Sequence, residues 1–392
     1  LPEQSKEDEM KTLSGFAVAS VLFGIALVSP AQQAPIQIAS IVELSGVGAT
    51  PGTAFDNGVK LAVKQVNAAG GILGRQIELT SFDDQSNPSL AKGLVKKVAD
   101  MGVYVVVGPS QSGLALAVMQ ETRAAEIPTF IGGEAASITQ QGNPYVFRNS
   151  FTQATAMPKV ARYIKDTLKA KTLAMVWQNN DFGKGGHDEM IKALQAEGIK
   201  VVEDISTDPG QVDFTGPVLK VMRANADATF VYLVEEESAR ILKEFRKRGF
   251  DKPLVGETSL IGQKVIDLAG DAANGVTGHV GLTADAPIPA MRKFSDEYKR
   301  AYGSVPDHNA IKGYLSIHVV KAATEKIGKV DSKALAKAMK GISLSAAQTP
   351  GLLMDTKYDD KGDLDRESFL VKVTNGKQEI LQILPPLAVL AK

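Results

Sequence analysis

The chain has 392 residues, 44% apolar and 22% charged, with Lys plus Arg equal to Asp plus Glu at 44 each. Such a length calls for two globular domains, and a balanced charge gives no net pull toward nucleic acid or anionic lipid. The absence of cysteine excludes disulfides, thiolate nucleophiles and cysteine-bound metal.

The N-terminal stretch reads as a secretory leader over residues 10–34. Met10-Lys11 precedes an apolar run from Gly15 to Val28, and small residues follow at Ser29-Pro30-Ala31. That run is short of the roughly 20 residues that span a bilayer. Glu3, Glu7, Asp8 and Glu9 have the wrong sign for the start of a leader, so Met10 reads as the start of translation. Without a cysteine there is no lipid attachment site after the leader, and the expected product is free in the periplasm.

Beyond the leader the pattern alternates strand and helix. Ile36–Val42 is an apolar strand, and Val59, Val63 and Val66 share one face of a helix over Asn57–Asn67 that ends at Gly70-Gly71. Gln76–Phe82 is a strand, Leu90 to Met101 a helix, Val103–Val107 a buried strand, Leu114–Ala125 a helix and Ile127–Ile131 a strand. A second series starts past Phe151, with strands at Thr172–Trp177, Lys200–Ile205, Ala228–Val234 and Leu254-Val255. Helices at Asp188–Glu197, Phe214–Ala224 and Ser238–Arg248 alternate with them. Three helices follow, at Pro289–Tyr302, Asn309–Lys326 and Asp331–Met339. Asn375-Gly376 between two alternating apolar runs, Ser368–Thr374 and Gln378–Leu384, marks a hairpin. The fold class is α/β, two doubly wound lobes.

Signatures of catalysis are weak. Gly70-Gly71-Ile72-Leu73-Gly74 follows a helix and precedes a strand, the reverse of a dinucleotide loop. Gly183-Lys184-Gly185-Gly186 lacks the spacing and the hydroxyl residue of a phosphate loop. Neither a nucleophile elbow nor a second histidine at metal spacing from His187 is present. A binder is expected rather than an enzyme, with no cofactor and no metal. The binding signals are loops at strand ends: Glu43–Gly52, Gly108–Gly113, Gly132–Ser137 and Gln178–Gly186. Ser110 and Ser112 stand ahead of a helix, where a hydroxyl and free N–H groups suit a carboxylate.

These loops also carry a family resemblance. Leu44-Ser45-Gly46, Asn57 to Val63, Asn67 to Ile72, Asp83-Asp84, Gly108-Pro109, Tyr145 to Arg148 and Asp181 to Gly185 resemble, in order and spacing, the branched-chain amino acid type of periplasmic substrate-binding protein. That family supplies the capture component of an ABC importer. The resemblance implies three hinge crossovers, near Phe151–Ala154, His279–Ala284 and Thr349–Leu352. The first lobe would comprise residues 35–151 plus 284–350, and the second 152–283 plus 351–392. It implies that Ser112 holds a ligand carboxylate, that Gly132, Gly133 and Glu134 bind carboxylate and amine, and that Phe182 and Pro51 line the pocket. Glu257 would pair the ammonium, and Tyr232, Trp177 and the run Glu235-Glu236-Glu237 are further candidates, the run being otherwise a solvated loop. Glu134 stands where the family carries threonine, Phe182 where it carries tyrosine, and Pro51 where some members have an aromatic wall. These departures point away from plain leucine or valine, toward another amino acid, an amide, or an aromatic or hydroxylated acid. The expected partners are that small molecule and a cognate ABC permease, with no nucleic acid, and the protein is expected to be a monomer. A ligand-sensing receptor of the same fold and a secreted α/β hydrolase are the competing readings.

Overall fold

A computed structural model describes residues 33–387. The expected leader lies outside the described residues apart from its last two positions. No helix among the described residues is long and apolar enough to cross a membrane.

The first lobe is built on β1 (Ile36–Val42), α1 (Ala49–Ala68), β2 (Ile77–Asp83), α2 (Pro88–Asp100), β3 (Val105–Val107), α3 (Ser112–Ala124), β4 (Thr129–Ile131), the short α4 (Ser137–Gln140) and β5 (Val146–Arg148). Its five strands are all parallel, in the order β2-β1-β3-β4-β5. The continuous apolar run of β3 follows from burial on both faces. Val105 and Val107 pack with Phe55 and Val59 of α1, while Val106 packs with Val95, Val98, Leu114 and Val118 of α2 and α3.

The second lobe begins with α5 (Gln153–Asp166), then β6 (Thr172–Gln178), α6 (Asp181–Glu197), β7 (Lys200–Thr207), α7 (Thr215–Ala224), β8 (Ala228–Tyr232), α8 (Glu235–Lys247), β9 (Leu254–Glu257), α9 (Thr258–Ile261), α10 (Gln263–Ala269) and β10 (Thr277–Val280). The chain then returns to the first lobe with α11 (Pro289–Tyr302), α12 (His308–Ile327), α13 (Ser332–Met339) and the two-residue pair β11 (Ser343–Leu344) and β12 (Thr356–Lys357). It ends in the second lobe as the hairpin β13 (Ser368–Thr374) and β14 (Lys377–Leu384). The second sheet runs β14-β13-β10-β9-β8-β6-β7, antiparallel only at the hairpin edge. Asn375 and Gly376 both have positive φ, at 51° and 74°, as the tight turn requires.

Helix α12 brings Asn309 and Lys312 up to the gap between the lobes, and two glycines set its position. A Cβ on Gly58 of α1 would lie 2.0 Å from the Ala310 carbonyl, and one on Gly313 would lie 2.0 Å from the Phe55 carbonyl. The two backbones are therefore in direct contact. Tyr314 adds a hydroxyl donor to Gln65 at 2.7 Å, and Tyr104 meets Thr324 at 2.9 Å.

Four expectations need correction. The loop Gln178–Gly186 is cut short at Asn180, because α6 starts at Asp181 rather than Asp188. The loop Glu43–Gly52 is shorter than expected, because α1 already starts at Ala49 and Pro51 sits in its first turn. The run Glu235-Glu236-Glu237 is not a solvated loop but the first turn of α8, with Glu235 and Glu237 buried. The third crossover is later than Thr349–Leu352. Pro350–Leu352 forms a 3-10 turn against α12, where a Cβ on Gly351 would meet His318. The Tyr358 hydroxyl donates to Asn149, and the Arg148 amide donates to the Gly362 carbonyl at 2.9 Å. The segment stays with the first lobe to Leu364 and passes over between there and Ser368, which moves the division expected at 350/351.

Candidate functional site

In each sheet the strand order reverses beside the first strand of its series, between β1 and β3 and between β6 and β8. The crevice at such a reversal, beyond the carboxyl ends of the strands, is where open α/β sheets bind ligands. Both crevices open onto one cavity of 290 Å³ between the lobes. The first lobe contributes the ends of β3 and β4, the first turn of α1 and one face of α12. The second contributes the starts of α6 and α8.

Ser112 opens α3, where the amides of the first turn have no intrahelical acceptor. Its Oγ accepts the N–H groups of Glu134 and Ala135 at 3.0 and 3.1 Å. With two donors already received, the serine hydroxyl keeps its own proton to give. Gly133 is required beside it, since a Cβ there would lie 2.9 Å from the Ser112 Cα. The loop is clamped from behind by Arg148 at the end of β5. Its guanidinium is fully buried, pairs with Asp363 at 2.6 Å, and donates to the carbonyls of Gly133 and, at 2.9 Å, Ala135. The Gly133 carbonyl shares a peptide plane with the Glu134 amide, so fixing it on one side turns that amide toward Ser112.

Ser110 lines the cavity but its hydroxyl is committed elsewhere. It donates to the buried Glu43 carboxylate, which also receives the Gln111 amide at 3.0 Å. Burial raises the Glu43 carboxyl against these hydrogen bonds. Ser110 therefore anchors the β1 and β3 ends to each other.

Glu134 points to α12, where Lys312 donates to it at 2.5 Å, and both are buried. Burial raises the Glu134 carboxyl while the Lys312 ammonium pulls it back down. The carboxylate beside Ser112 is thus partnered rather than left to repel a ligand anion. Lys312 was not singled out from the sequence, although it is the only Lys or Arg between residues 301 and 320 and sits in an apolar helical stretch.

From the second lobe, Phe182 lines the cavity in the first turn of α6, stacked on Tyr232 at 4.3 Å between centroids. Tyr232 does not line it. Its hydroxyl receives a hydrogen bond from Gln153 Nε2 at 2.9 Å, and the same nitrogen donates to the Phe182 carbonyl at 2.7 Å. Tyr232 thus supports Phe182 from beneath. Trp177 lies away from the cavity, over His187, with its indole N–H on Asp204 at 2.8 Å. Pro51 lines the cavity, and so do Gly132 and Gly133.

The three glutamates of α8 divide. Glu235 lines the cavity and accepts from Asn309 of α12 at 3.2 Å. Glu236 receives the Thr50 hydroxyl across the lobes at 2.7 Å. Glu237 turns away to Gln178 and the Gly210 amide. Glu257 lines a separate recess of 20 Å³ that shares Glu134, His308 and Lys312 with the larger cavity. Its Oε1 accepts from Thr258 at 2.6 Å and faces His279 Nδ1 at 3.1 Å, while Oε2 has no partner. Among the described residues no group of histidine and carboxylate side chains could hold a metal ion.

Burial, reinforced by Asp307, raises the Glu235 carboxyl from an ordinary 4.5 to about 7. Between those values the folded protein keeps a proton that the unfolded chain releases. The resulting stability is fully present below pH 4.5 and is lost as pH rises through about 7. Urea titrations at pH 5 and pH 7.5 should show Glu235→Gln gaining on the parent protein by roughly 2–4 kcal/mol over that interval. An unchanged difference at the two pH values would show that Glu235 titrates normally.

A model of the family described as periplasmic binding protein matches residues 35–378. The chain belongs to that family. Among relatives of this binding protein, the Leu/Ile/Val-binding protein BraC3 of Rhizobium johnstonii is 28% identical, over 94% of this chain and 98% of its own length. The leucine-, isoleucine-, valine-, threonine- and alanine-binding protein of Pseudomonas aeruginosa is 25% identical over 92% and 95%. Two solved structures superpose with a TM-score of 0.81 over 90% of this chain. One is the branched-chain amino acid transporter substrate-binding protein LivJ of Streptococcus pneumoniae with isoleucine, 26% identical and covered in full. The other is a solute-binding protein of an ABC transporter from Rhodopseudomonas palustris with 3,4-dihydroxybenzoic acid, 25% identical and covered over 97%. The binding protein is thus of the branched-chain amino acid type, a solute-binding component of ABC transport, and the hydrolase reading has no support.

Proposed function

We propose that the protein captures a zwitterionic amino acid in the interlobe cavity and delivers it to a cognate ABC permease, without chemistry of its own. The observation that carries this reading is the charge of the lining. Glu134, Asp181 and Glu235 line the cavity against the single lysine Lys312. A bare aromatic acid would add one more negative charge to that set, whereas an amino acid brings an ammonium with its carboxylate.

The ligand carboxylate sits on the Ser112 hydroxyl and the first-turn amides of α3, where the helix N-terminus favours an anion. The ammonium is one carbon away, so its acceptor lies on the same loop: Glu134, which gives Oε1 to Lys312 and keeps Oε2. Phe182 closes the pocket from the second lobe. A ligand that touches both lobes binds the closed form more tightly and so draws the hinge shut. The protein acts as a monomer in the periplasm after removal of the leader, without lipid attachment.

A thermal-shift screen tests the reading with amino acids, their N-acetyl derivatives and 3,4-dihydroxybenzoate. At a hundredfold excess over Kd a true ligand adds about 2.7 kcal/mol of stability. A free amino acid is expected to raise the midpoint and its N-acetyl derivative to leave it unmoved. A response to the dihydroxybenzoate alone would replace this reading with an aromatic-acid binder.

A further inference from the structure

We propose that the ligand's side chain ends in N–H donors and that Glu235 selects for them. The inference rests on the amino-acid reading above and specifies its substrate class. Glu235 is 4% exposed and lines the cavity from the lobe opposite Ser112. One oxygen, Oε1, takes the Asn309 amide. Among the described residues no cation is paired with it, since Lys312 is given to Glu134 at 2.5 Å and the other charges acting on Glu235 are Asp307 and Glu236. Its donors are the neutral Asn309 amide and its own backbone N–H, and a buried carboxylate without a paired cation is costly to keep.

Its position explains the cost. The α-carboxylate and α-ammonium of the ligand are bound together on the Ser112 and Glu134 side. Glu235 lines the same cavity from the other lobe, at the start of α8, and is assigned here to the ligand's side chain. The same cavity is lined by Val47, Pro51, Phe182 and Val234, apolar groups suited to a methylene stem. A side chain ending in an amide, an ammonium or a guanidinium would complete the Glu235 hydrogen bonds. A leucine side chain would cover the carboxylate and offer it nothing. Sites built to hydrogen-bond a substrate group reject the analogue that lacks it far more strongly than apolar pockets reject a misfit.

Calorimetric titration with arginine, glutamine and leucine tests this on the full protein and on Glu235→Gln, Glu235→Leu and Asn309→Ala. The parent is expected to bind arginine or glutamine at least tenfold more tightly than leucine. Glu235→Leu should invert that order, and Glu235→Gln should weaken arginine while sparing glutamine. Asn309→Ala should leave the order unchanged. Leucine binding the parent most tightly overturns the selector role and leaves the amino-acid reading standing. An equal loss for all three ligands in Glu235→Leu, matched by Asn309→Ala, assigns Glu235 to lobe closure instead and equally overturns it. If none of a full set of amino acids binds, the amino-acid reading itself fails.

Discussion

Arg148→Met is expected to cost about 3–5 kcal/mol of folding free energy, because its fully buried guanidinium holds the part-buried Asp363 carboxylate and two loop carbonyls at once. That is a large share of the roughly 5–15 kcal/mol that holds a protein folded. Loss of the guanidinium leaves Asp363 without its cation and strips donors from the carbonyls of Gly133 and Ala135. Those carbonyls belong to the loop whose amides hold Ser112 Oγ, so binding should disappear with the stability. Urea denaturation followed by circular dichroism measures the first effect and calorimetric titration the second. A loss below about 1 kcal/mol, the scale of an exposed pair, would show that Arg148 is not the clamp. Asp363→Asn in the Arg148→Met background should return part of the stability by removing the orphaned charge.

Lys312→Met carries the second large effect, and it falls on binding. The change leaves Glu134 buried beside Glu257 with no cation between them, in a cavity already lined by Glu235. Truncating one member of a buried, hydrogen-bonded charge pair costs about 2–5 kcal/mol, much of it from the charge left behind. For the amino-acid ligand this means an affinity drop of roughly thirtyfold or more. The double variant Lys312→Met, Glu134→Gln is expected to fold better than the single lysine variant, because neither side is then charged. Its affinity should stay low, since Glu134 is the proposed acceptor of the ammonium. A double variant that binds as well as the parent protein would remove Glu134 and Lys312 from the binding site.

How much of the molecule was legible in the sequence depends on the range over which each signal acts. β1, β3 and the Asn375-Gly376 hairpin were readable because apolar runs and turn residues are local. The parallel sheets followed from strand and helix alternation. The early starts of α1, α6 and α8 were not readable, because Pro51, Gly183 and three successive glutamates are all common outside helices. Site residues divide in the same way. The loops that hold Ser112 and Gly132 to Glu134 lie at strand ends and follow from order alone, while the family resemblance singled out those residues within them. Lys312 and Arg148 act on loops far away in the chain, so only the packed structure shows what they hold. Ser110 and Tyr232 were placed in the right region, but their partners, Glu43 and Phe182, decide that they support the site. The third crossover was misplaced because Tyr358 and Gly362 tie back to β5 through contacts that no spacing announces.

The central claim is that an amino acid lies between Ser112 on one lobe and the α6 and α8 turns on the other. A crystal structure of the protein with the best ligand from the thermal screen tests it most directly. Ligand density is expected in the 290 Å³ cavity, with the carboxylate on the Ser112 hydroxyl and the ammonium on Glu134. Density for the ligand outside that cavity, or inside it with the carboxylate turned away from Ser112, would contradict the claim.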